Sequence, residues 1–203
     1  MRLKTKKSDS ENLETAKLAE LSPRDRVLRT ALILFYEHGV HSVGIDRIIA
    51  ESGVAKMTFY RHFPSKARLI AEYLAHKHRG WEQLVARFAG DESKPALERL
   101  LAIFDALEVF IQHPEFRGCP FIKTMAEFGP ERDAPEVRRE ITAHFAEMEK
   151  FVAGLLKQIR PRDSKKFVQP VLSIITGTVV IAQASGRTDV ASKNKELVRM
   201  FLS

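Results

Sequence analysis

The sequence is poor in cysteine and has no long apolar run. Cys119 is the single cysteine among 203 residues, which excludes an intrachain disulfide framework and agrees with a reducing cytoplasm. No stretch approaches the roughly 18 to 20 apolar residues of a membrane span. The first 20 residues also lack the apolar segment of a secretory signal. We therefore expect a cytoplasmic protein with no membrane partner.

Motifs for catalysis and metal binding are missing as well. The sequence contains no HExxH, no GxSxG and no phosphate-binding P-loop. His76 and His78 are two positions apart on a predicted helix, so they face different directions and form a poor metal pair. No acid is evidently placed to orient His113 towards Cys119. We expect no catalytic residue, no metal and no cofactor.

Positive charge is concentrated near the N-terminus. Residues 1–80 contain 15 Lys/Arg against 9 Asp/Glu, whereas residues 81–203 contain 18 against 17. This asymmetry is typical of a segment that meets a polyanion, although a solvated basic surface would give the same count. Residues 1–21 are polar and rich in lysine, and are predicted to form a flexible basic tail.

Three short helices are predicted between residues 22 and 63. Ser22 followed by Pro23 is a typical helix start, and Gly39 ends this first helix. The second helix begins near Gly44 and ends at Gly53, and the third covers about residues 55–63. Two short helices joined by a turn with glycine, and crossed by a preceding helix, indicate a helix-turn-helix.

The third helix has two chemically different faces. Phe59 and Phe63 are one helical turn apart, so both can anchor the helix to its neighbours. The remaining positions carry ammonium, guanidinium, hydroxyl and imidazole groups, which can donate hydrogen bonds to phosphates and base edges in a major groove. An amphipathic surface helix is the alternative interpretation.

Residues 39–74, GVHSVGIDRIIAESGVAKMTFYRHFPSKARLIAEYL, resemble the DNA-binding segment of the TetR family of bacterial transcriptional regulators. The match runs from about Arg24 to Leu74, and GVxKxTxYxHFxSK is a specific signature. The resemblance implies that Lys66 contacts phosphate at the start of the fourth helix. It also implies a DNA-facing surface on the third helix, formed by Lys56, Met57, Thr58, Tyr60, Arg61 and His62.

The segment departs from the family pattern in two places that affect DNA contacts. Ala55 stands where a capping residue is usual, so the third helix loses a side-chain cap worth about 1 kcal/mol. Asp46 stands where some relatives have an arginine that contacts DNA. An aspartate repels phosphate, and Arg47 is therefore the better candidate for a contact from the second helix.

The rest of the chain is predicted to be helical over about residues 66–89, 96–112, 121–128, 135–159, 164–185 and 192–202. No convincing strand alternation occurs. The predicted fold class is all-α, with an N-terminal three-helix helix-turn-helix domain over residues 22–69. A larger helical domain over residues 70–203 would bind an effector and form a dimer.

A ligand cavity is predicted from the distribution of aromatic residues. Seven of the 13 phenylalanines lie between residues 81 and 145, where they either form ordinary core or line an apolar cavity. The resemblance favours a cavity whose effector moves the fourth helix. Asp105, Glu108 and Glu127 are the candidates for contact with a cationic ligand. The candidate cavity residues are Trp81, Phe88, Phe104, Phe110, Cys119, Phe121, Met125 and Phe128.

A dimer interface is predicted from an unusually apolar helix. Residues 171–185 have no water-facing side in sequence, so they are either buried in one chain or meet a partner. With the helix at 135–159, they resemble the four-helix interface of the family, in which each subunit supplies two helices. The candidate interface residues are Phe145, Val171, Ile174, Ile175, Thr178, Ile181 and Ala182.

The sequence therefore predicts a homodimeric repressor that binds a pseudo-palindromic operator in double-stranded DNA. Two half-sites about 34 Å apart would be read by the two subunits. A small apolar effector would release the protein. Two other classes stay open: a DNA-binding dimer that has no effector, and a helical enzyme with a DNA-binding head.

Overall fold

The computed structural model describes residues 20–128 and 134–202. These residues form helices and no strand, so the predicted all-α fold is confirmed. Most of the predicted tail, residues 1–19, and the middle of the loop at 129–133 lie outside the described residues. The helices are α1 Pro23–His38, α2 Ile45–Ser52, α3 Lys56–His62, α4 Lys66–Ala89, α5 Ala96–Gln112, α6 Pro120–Glu127, α7 Pro135–Ile159, α8 Lys165–Ser185 and α9 Val190–Leu202.

The helix ends follow the local signals of the sequence. Ser22 Oγ accepts the Asp25 N–H at 3.2 Å, and Pro23 occupies the first helical position. Ser65 Oγ accepts the Arg68 N–H at 3.0 Å and begins α4. These caps satisfy backbone N–H groups that a helix start leaves without partners.

Two apolar clusters hold the chain together. The first joins α1, α2, α3 and the start of α4, and it also takes in Phe121 of α6 and Val137 and Ile141 of α7. The second joins α5, the second half of α7, α8 and α9. The N-terminal head, α1 to α3, is therefore not packed as an isolated unit, because the core beneath it continues beyond residue 69.

The long helix α4 connects the two clusters. Its 24 residues span about 36 Å. Leu69 and Tyr73, near its start, are buried in the first cluster, and Ala89, at its end, is buried in the second. A change in the direction of α4 therefore changes the position of the head relative to the helical domain.

Helix α8 corrects the expectation that no stretch is long and apolar enough for a membrane span. Lys165–Ser185 is long and apolar enough to cross a membrane by length and composition, with a mean hydropathy of 1.6. Scattered Thr, Ser, Gly and Gln interrupt its apolar run without lowering the average far. The helix packs against α5, α7 and α9, yet Val180 and Ile181 remain exposed.

Gly118 shapes the turn that leads into α6. Its φ is +88°, a backbone conformation that residues with a Cβ rarely adopt, and a Cβ there would overlap the side-chain amide of Gln183. Gly154, in contrast, could accommodate a side chain. It lies inside α7, and a Cβ added there would have no other atom within 4 Å.

We expect opposite effects from alanine at these two glycines. Gly118→Ala should lower the free energy of unfolding by about 1–2 kcal/mol or more, because a left-handed conformation is strained and Gln183 must move. Gly154→Ala should raise it by about 0.5–1 kcal/mol, since a helix-interior glycine costs more entropy on folding. Urea unfolding at one protein concentration measures both, and equal shifts would contradict the backbone assignment.

Candidate functional site

Helix α3 buries its aromatic face and leaves the other face open. Phe59 is 0% exposed and Phe63 is 1% exposed. Their ring centres are 6.0 Å apart, and the Arg24 guanidinium of α1 lies 5.5 Å from the Phe63 ring centre. The aromatic rings thus fix α3 against α1, and the donor-bearing face points to solvent.

The residues predicted to face DNA form one continuous surface on α3. Met57 is 82% exposed and Tyr60 is 39% exposed. Lys56 and Arg61 are exposed as well, whereas Thr58 and His62 are half-buried. Gly53, with φ +62°, makes the turn between α2 and α3. As expected, Ala55 supplies no side-chain cap.

Two cations at or beside this surface, Lys56 of α3 and Arg47 of α2, already have partners within the chain. Lys56 Nζ lies 3.4 Å from Asp46 Oδ1. The aspartate that departs from the family pattern therefore forms an ion pair with a residue of α3. Arg47 Nε donates to Glu51 at 2.7 Å. Because both pairs are exposed, each contributes little stability and a DNA phosphate can displace the carboxylate.

Lys66 lies at the first position of α4, beside the turn that follows α1. Its Nζ donates to the His41 carbonyl at 3.2 Å. Burial lowers the pKa of Lys66, against the opposing effect of Glu127. The ammonium is therefore held next to the free end of α4, where phosphate binding is favoured.

Tyr36 ties the head to the segment that precedes α6. Its hydroxyl donates to the Gly118 carbonyl at 3.1 Å and accepts the Arg117 N–H at 2.9 Å. Lys123 Nζ, from α6, donates to the Tyr36 carbonyl at 2.6 Å. Burial raises the pKa of Tyr36, so the hydroxyl keeps the proton that the first of these bonds requires.

A second tie joins the C-terminal end of α6 to the turn after α1. The His41 N–H donates to Glu127 Oε2 at 2.6 Å. Gly39, with φ +87°, leaves space for this carboxylate, which a Cβ at that position would meet at 2.6 Å. The segment before α6, the middle of α6 and its C-terminal end are therefore all hydrogen-bonded to the head.

A cavity of about 440 Å³ lies between α4, α5, α6, α7 and α8. Four of the residues predicted from sequence line it: Trp81, Phe110, Cys119 and Phe121. The other four lie elsewhere. Phe104 is buried in the core, Met125 is exposed, Phe88 lies under Arg87, and Phe128 packs on His41.

Most of the residues that line the cavity were not predicted from the sequence, and four of them matter for its chemistry. Tyr36, Lys77, Phe116 and His144 all line the cavity. Lys77 precedes Trp81 by four positions on α4, so helical spacing could have placed it on the same face. Tyr36 comes from α1, outside the aromatic-rich segment 81–145, and no local pattern connects it to the cavity.

His144 lies in an aromatic setting that keeps it neutral. Its ring stacks on Phe121 with centres 3.6 Å apart, and its Nδ1 is 3.0 Å from Nδ1 of His78. Burial, followed by the charge of His78, lowers the pKa of His144 to about 3. One imidazole N–H donates to the other ring, so protonation of both rings would break this contact.

The cavity holds no reactive thiolate and few acids. Burial raises the pKa of Cys119, which favours the unreactive thiol. The acids considered for a cationic ligand have other partners. Asp105 pairs with Lys195 at 2.7 Å, Glu108 accepts from Gln112, and Glu127 accepts from the His41 N–H. None of the three lines the cavity.

Most residues predicted for the dimer interface lie inside the single chain. Val171, Ile175, Thr178 and Ala182 are at most 2% exposed. Ile174 is half-buried, and Phe145 lines the cavity. Ile181 is the member of the set with a large exposed surface, at 52%. Among the described residues, no cluster of His, Cys, Asp or Glu could hold a metal ion.

A helix-turn-helix head joined to a helical domain with a cavity defines the class of DNA-binding transcription regulators. Residues 27–73 match the family described as bacterial regulatory proteins, tetR family. Residues 96–196 match the tetracyclin repressor-like C-terminal domain. The chain belongs to the TetR family and is a DNA-binding transcriptional regulator.

Solved and curated relatives agree with this assignment. A TetR-family transcriptional regulator from Streptomyces coelicolor is 32% identical, with a TM-score of 0.81 over 89% of this chain and 94% of that one. An uncharacterized HTH-type regulator of Mycobacterium tuberculosis is 29% identical over 58% of this chain and 61% of its own length. The transcriptional activator FasR of Mycolicibacterium smegmatis is 36% identical over 44% of this chain and 41% of its length.

We expect the folded state to lose stability in acid through His144. Its pKa is lower in the folded chain, about 3, than in the unfolded chain, about 6.5. The unfolded state therefore binds more protons between these two pH values. The contribution of His144 to the free energy of unfolding is complete above pH 6.5, and on acidification it falls by up to about 1.4 kcal/mol per pH unit. Urea unfolding between pH 7 and 4 measures this slope.

His144→Gln should flatten that slope, whereas His113→Gln, at an exposed loop position, should keep the wild-type slope. An unchanged slope in the His144 variant would contradict the neutral buried imidazole.

Proposed function

We propose that this regulator is a homodimeric repressor that is released from a pseudo-palindromic operator by a small molecule. The observation that carries the proposal is the position of α6. One end of this helix borders the cavity through Cys119 and Phe121, and Lys123 in its middle and Glu127 at its C-terminal end are hydrogen-bonded to the DNA-binding head. A ligand that displaces α6 therefore displaces the head.

The proposed docking places the open face of α3 in a major groove. Arg61 and Lys56 can contact guanine or phosphate, Tyr60 can donate to phosphate, and the Met57 side chain can meet a thymine methyl group. Lys66, at the start of α4, contacts the phosphate backbone. Phosphate contacts fix the position of the head, whereas base contacts select the sequence.

The proposed dimer interface is formed by α8 and α9. Val180 and Ile181 of α8 are 44% and 52% exposed, and Leu197, Met200 and Phe201 of α9 are 45%, 71% and 43% exposed. Exposed apolar side chains on two neighbouring helices are typical of a protein interface. The sequence analysis expected α7 to be the second interface helix. The present proposal assigns that role to α9 instead.

Release requires that the ligand bind the DNA-free conformation more tightly. A hundredfold preference corresponds to about 2.7 kcal/mol, which lowers operator occupancy substantially. In this proposal the ligand shifts α6 and α4 together, and the separation of the two α3 helices no longer matches the half-site spacing. A DNA-bound regulator of this kind acts in the cytoplasm.

Activation is the second candidate function. FasR, which is named a transcriptional activator, is 36% identical to this chain over 92 residues. The same head can repress or activate according to where the operator lies. A DNA-binding dimer without an effector is less well supported, because a cavity of about 440 Å³ is within the range of small-molecule sites.

We expect Lys66→Ala to weaken binding to all duplexes equally and to reduce the salt slope by about one unit per subunit, because one phosphate contact is lost. Arg61→Ala should instead change base preference at one half-site position. Selection from random duplexes, followed by titration at several salt concentrations, measures both effects.

Lys157→Ala is the matched control, since it removes the same charge from an exposed position at the far end of α7. The docking would be wrong if Lys66→Ala and Lys157→Ala behaved alike.

We expect Ile181→Glu and Met200→Glu to convert the dimer into monomers, because each places a charge in the centre of an apolar interface. Val109→Glu is the control at a similarly exposed apolar position, 47% exposed on α5, and should stay dimeric. Sedimentation equilibrium measures the masses. Dimers in all three variants would place the interface elsewhere.

A further inference from the structure

The ligand cavity has an ammonium group on its wall that lacks a carboxylate partner. Lys77 Nζ lies 4.2 Å from the ring centre of Tyr36 and 5.9 Å from that of Tyr73. Over the ranges 20–128 and 134–202, Lys77 forms no hydrogen bond or ion pair. Burial lowers the pKa of Lys77, against the opposing effect of Glu115, and the charge of Lys123 lowers it further.

Two other cations accompany Lys77, one on the cavity wall and one at the Tyr36 ring. Arg79 also lines the cavity, and Lys123 Nζ lies 5.3 Å from the centre of the same Tyr36 ring. Among the described lining residues, Glu115 supplies the one carboxylate. The Tyr36 hydroxyl is already engaged by Arg117 and Gly118, so it offers Lys77 a ring face rather than an oxygen.

Other parts of the cavity wall are aromatic. Trp81 and Phe110 make an edge contact with ring centres 6.4 Å apart, and Phe110 and Phe116 make another at 5.3 Å. Phe121, which stacks on the neutral His144, forms a second aromatic wall. These surfaces match a flat, apolar ring system, because aromatic groups pack well edge to face and in offset stacks.

We propose that the cavity binds an acidic aromatic compound, with its rings against Trp81, Phe110 and Phe116 and its carboxylate on Lys77. This inference rests on the proposed function and deepens it, since it names the chemical class of the effector. A carboxylate would give the half-buried ammonium the charged hydrogen-bond partner that it lacks. A cationic ligand would meet Lys77 and Arg79 instead, and no acid apart from Glu115.

The protein carries its own reporter for this test. Trp81 is the single tryptophan of the chain and lines the cavity, so quenching of its fluorescence reports occupation. The probes are 4-biphenylacetate, 4-biphenylacetamide and 2-(biphenyl-4-yl)ethylammonium, which share a ring system and differ in charge. Full-length protein is titrated with each at pH 7, and calorimetry on the same samples gives the stoichiometry.

The carboxylate should bind about tenfold more tightly than the amide, because hydrogen bonds between charged groups are stronger than neutral ones. The ammonium compound should bind more weakly than the amide. Lys77→Met keeps the length of the side chain and removes its charge. It should bring the carboxylate and the amide to equal affinity while the amide affinity stays close to wild type, which also shows that the variant is folded.

Arg87→Met is the matched control, because Arg87 is an exposed cation of α4 that does not line the cavity. It should keep the tenfold preference. Trp81 also borders a second cavity lined by Glu82, Glu92 and Glu147, and quenching there would not depend on Lys77. Four outcomes would overturn the proposal. The three probes could bind equally, the ammonium compound could bind most tightly, no probe could bind, or the preference for the carboxylate could survive Lys77→Met.

DNA binding is measured separately, with an operator selected from random duplexes. A Lys77-dependent preference for the carboxylate without any release of DNA would contradict effector release and support the ligand assignment. Release of DNA by the amide or the ammonium compound, without a Lys77-dependent preference, would support effector release and overturn the ligand assignment.

Discussion

The hydrogen bonds around Tyr36 are the constraint on which the rest of the structure depends. The hydroxyl joins α1 to the backbone at Arg117 and Gly118, and the carbonyl receives the Lys123 ammonium. The same ring forms part of the cavity wall. A single residue thus belongs to the DNA-binding head and to the cavity wall, and the two cannot move independently without breaking these hydrogen bonds.

The apolar core reinforces this connection. Cys119 contacts both apolar clusters, and Phe121 is buried in the cluster that supports α3. In the proposed mechanism, a ligand that enters between α4 and α6 would be accommodated by a shift of whole helices rather than by local compression, because protein interiors are close-packed. Because α4 is one continuous helix of 24 residues, such a shift would also move Lys66 and the DNA-binding head.

The sequence was informative wherever local chemistry decides the structure. The helix start at Ser22, the turn at Gly53 and the spacing of Phe59 and Phe63 predicted the head and the orientation of α3. Long-range contacts had no such signal. Tyr36 and Gly118 are 82 positions apart, and helical periodicity cannot decide whether an apolar residue of α8 faces its own core or a partner. The cavity was therefore predicted by region, and only partly by residue.

The ion pair between Lys56 and Asp46 has a consequence for how the protein finds its operator. In the proposed docking, a duplex that draws the Lys56 ammonium away leaves the Asp46 carboxylate facing the phosphates, whatever the base sequence. Attraction to random chromosomal DNA, which depends on phosphate neutralisation, is reduced by the same amount everywhere. The protein should consequently dwell only briefly at unrelated sites, and a larger share of the molecules stays available to the few positions that also offer base contacts.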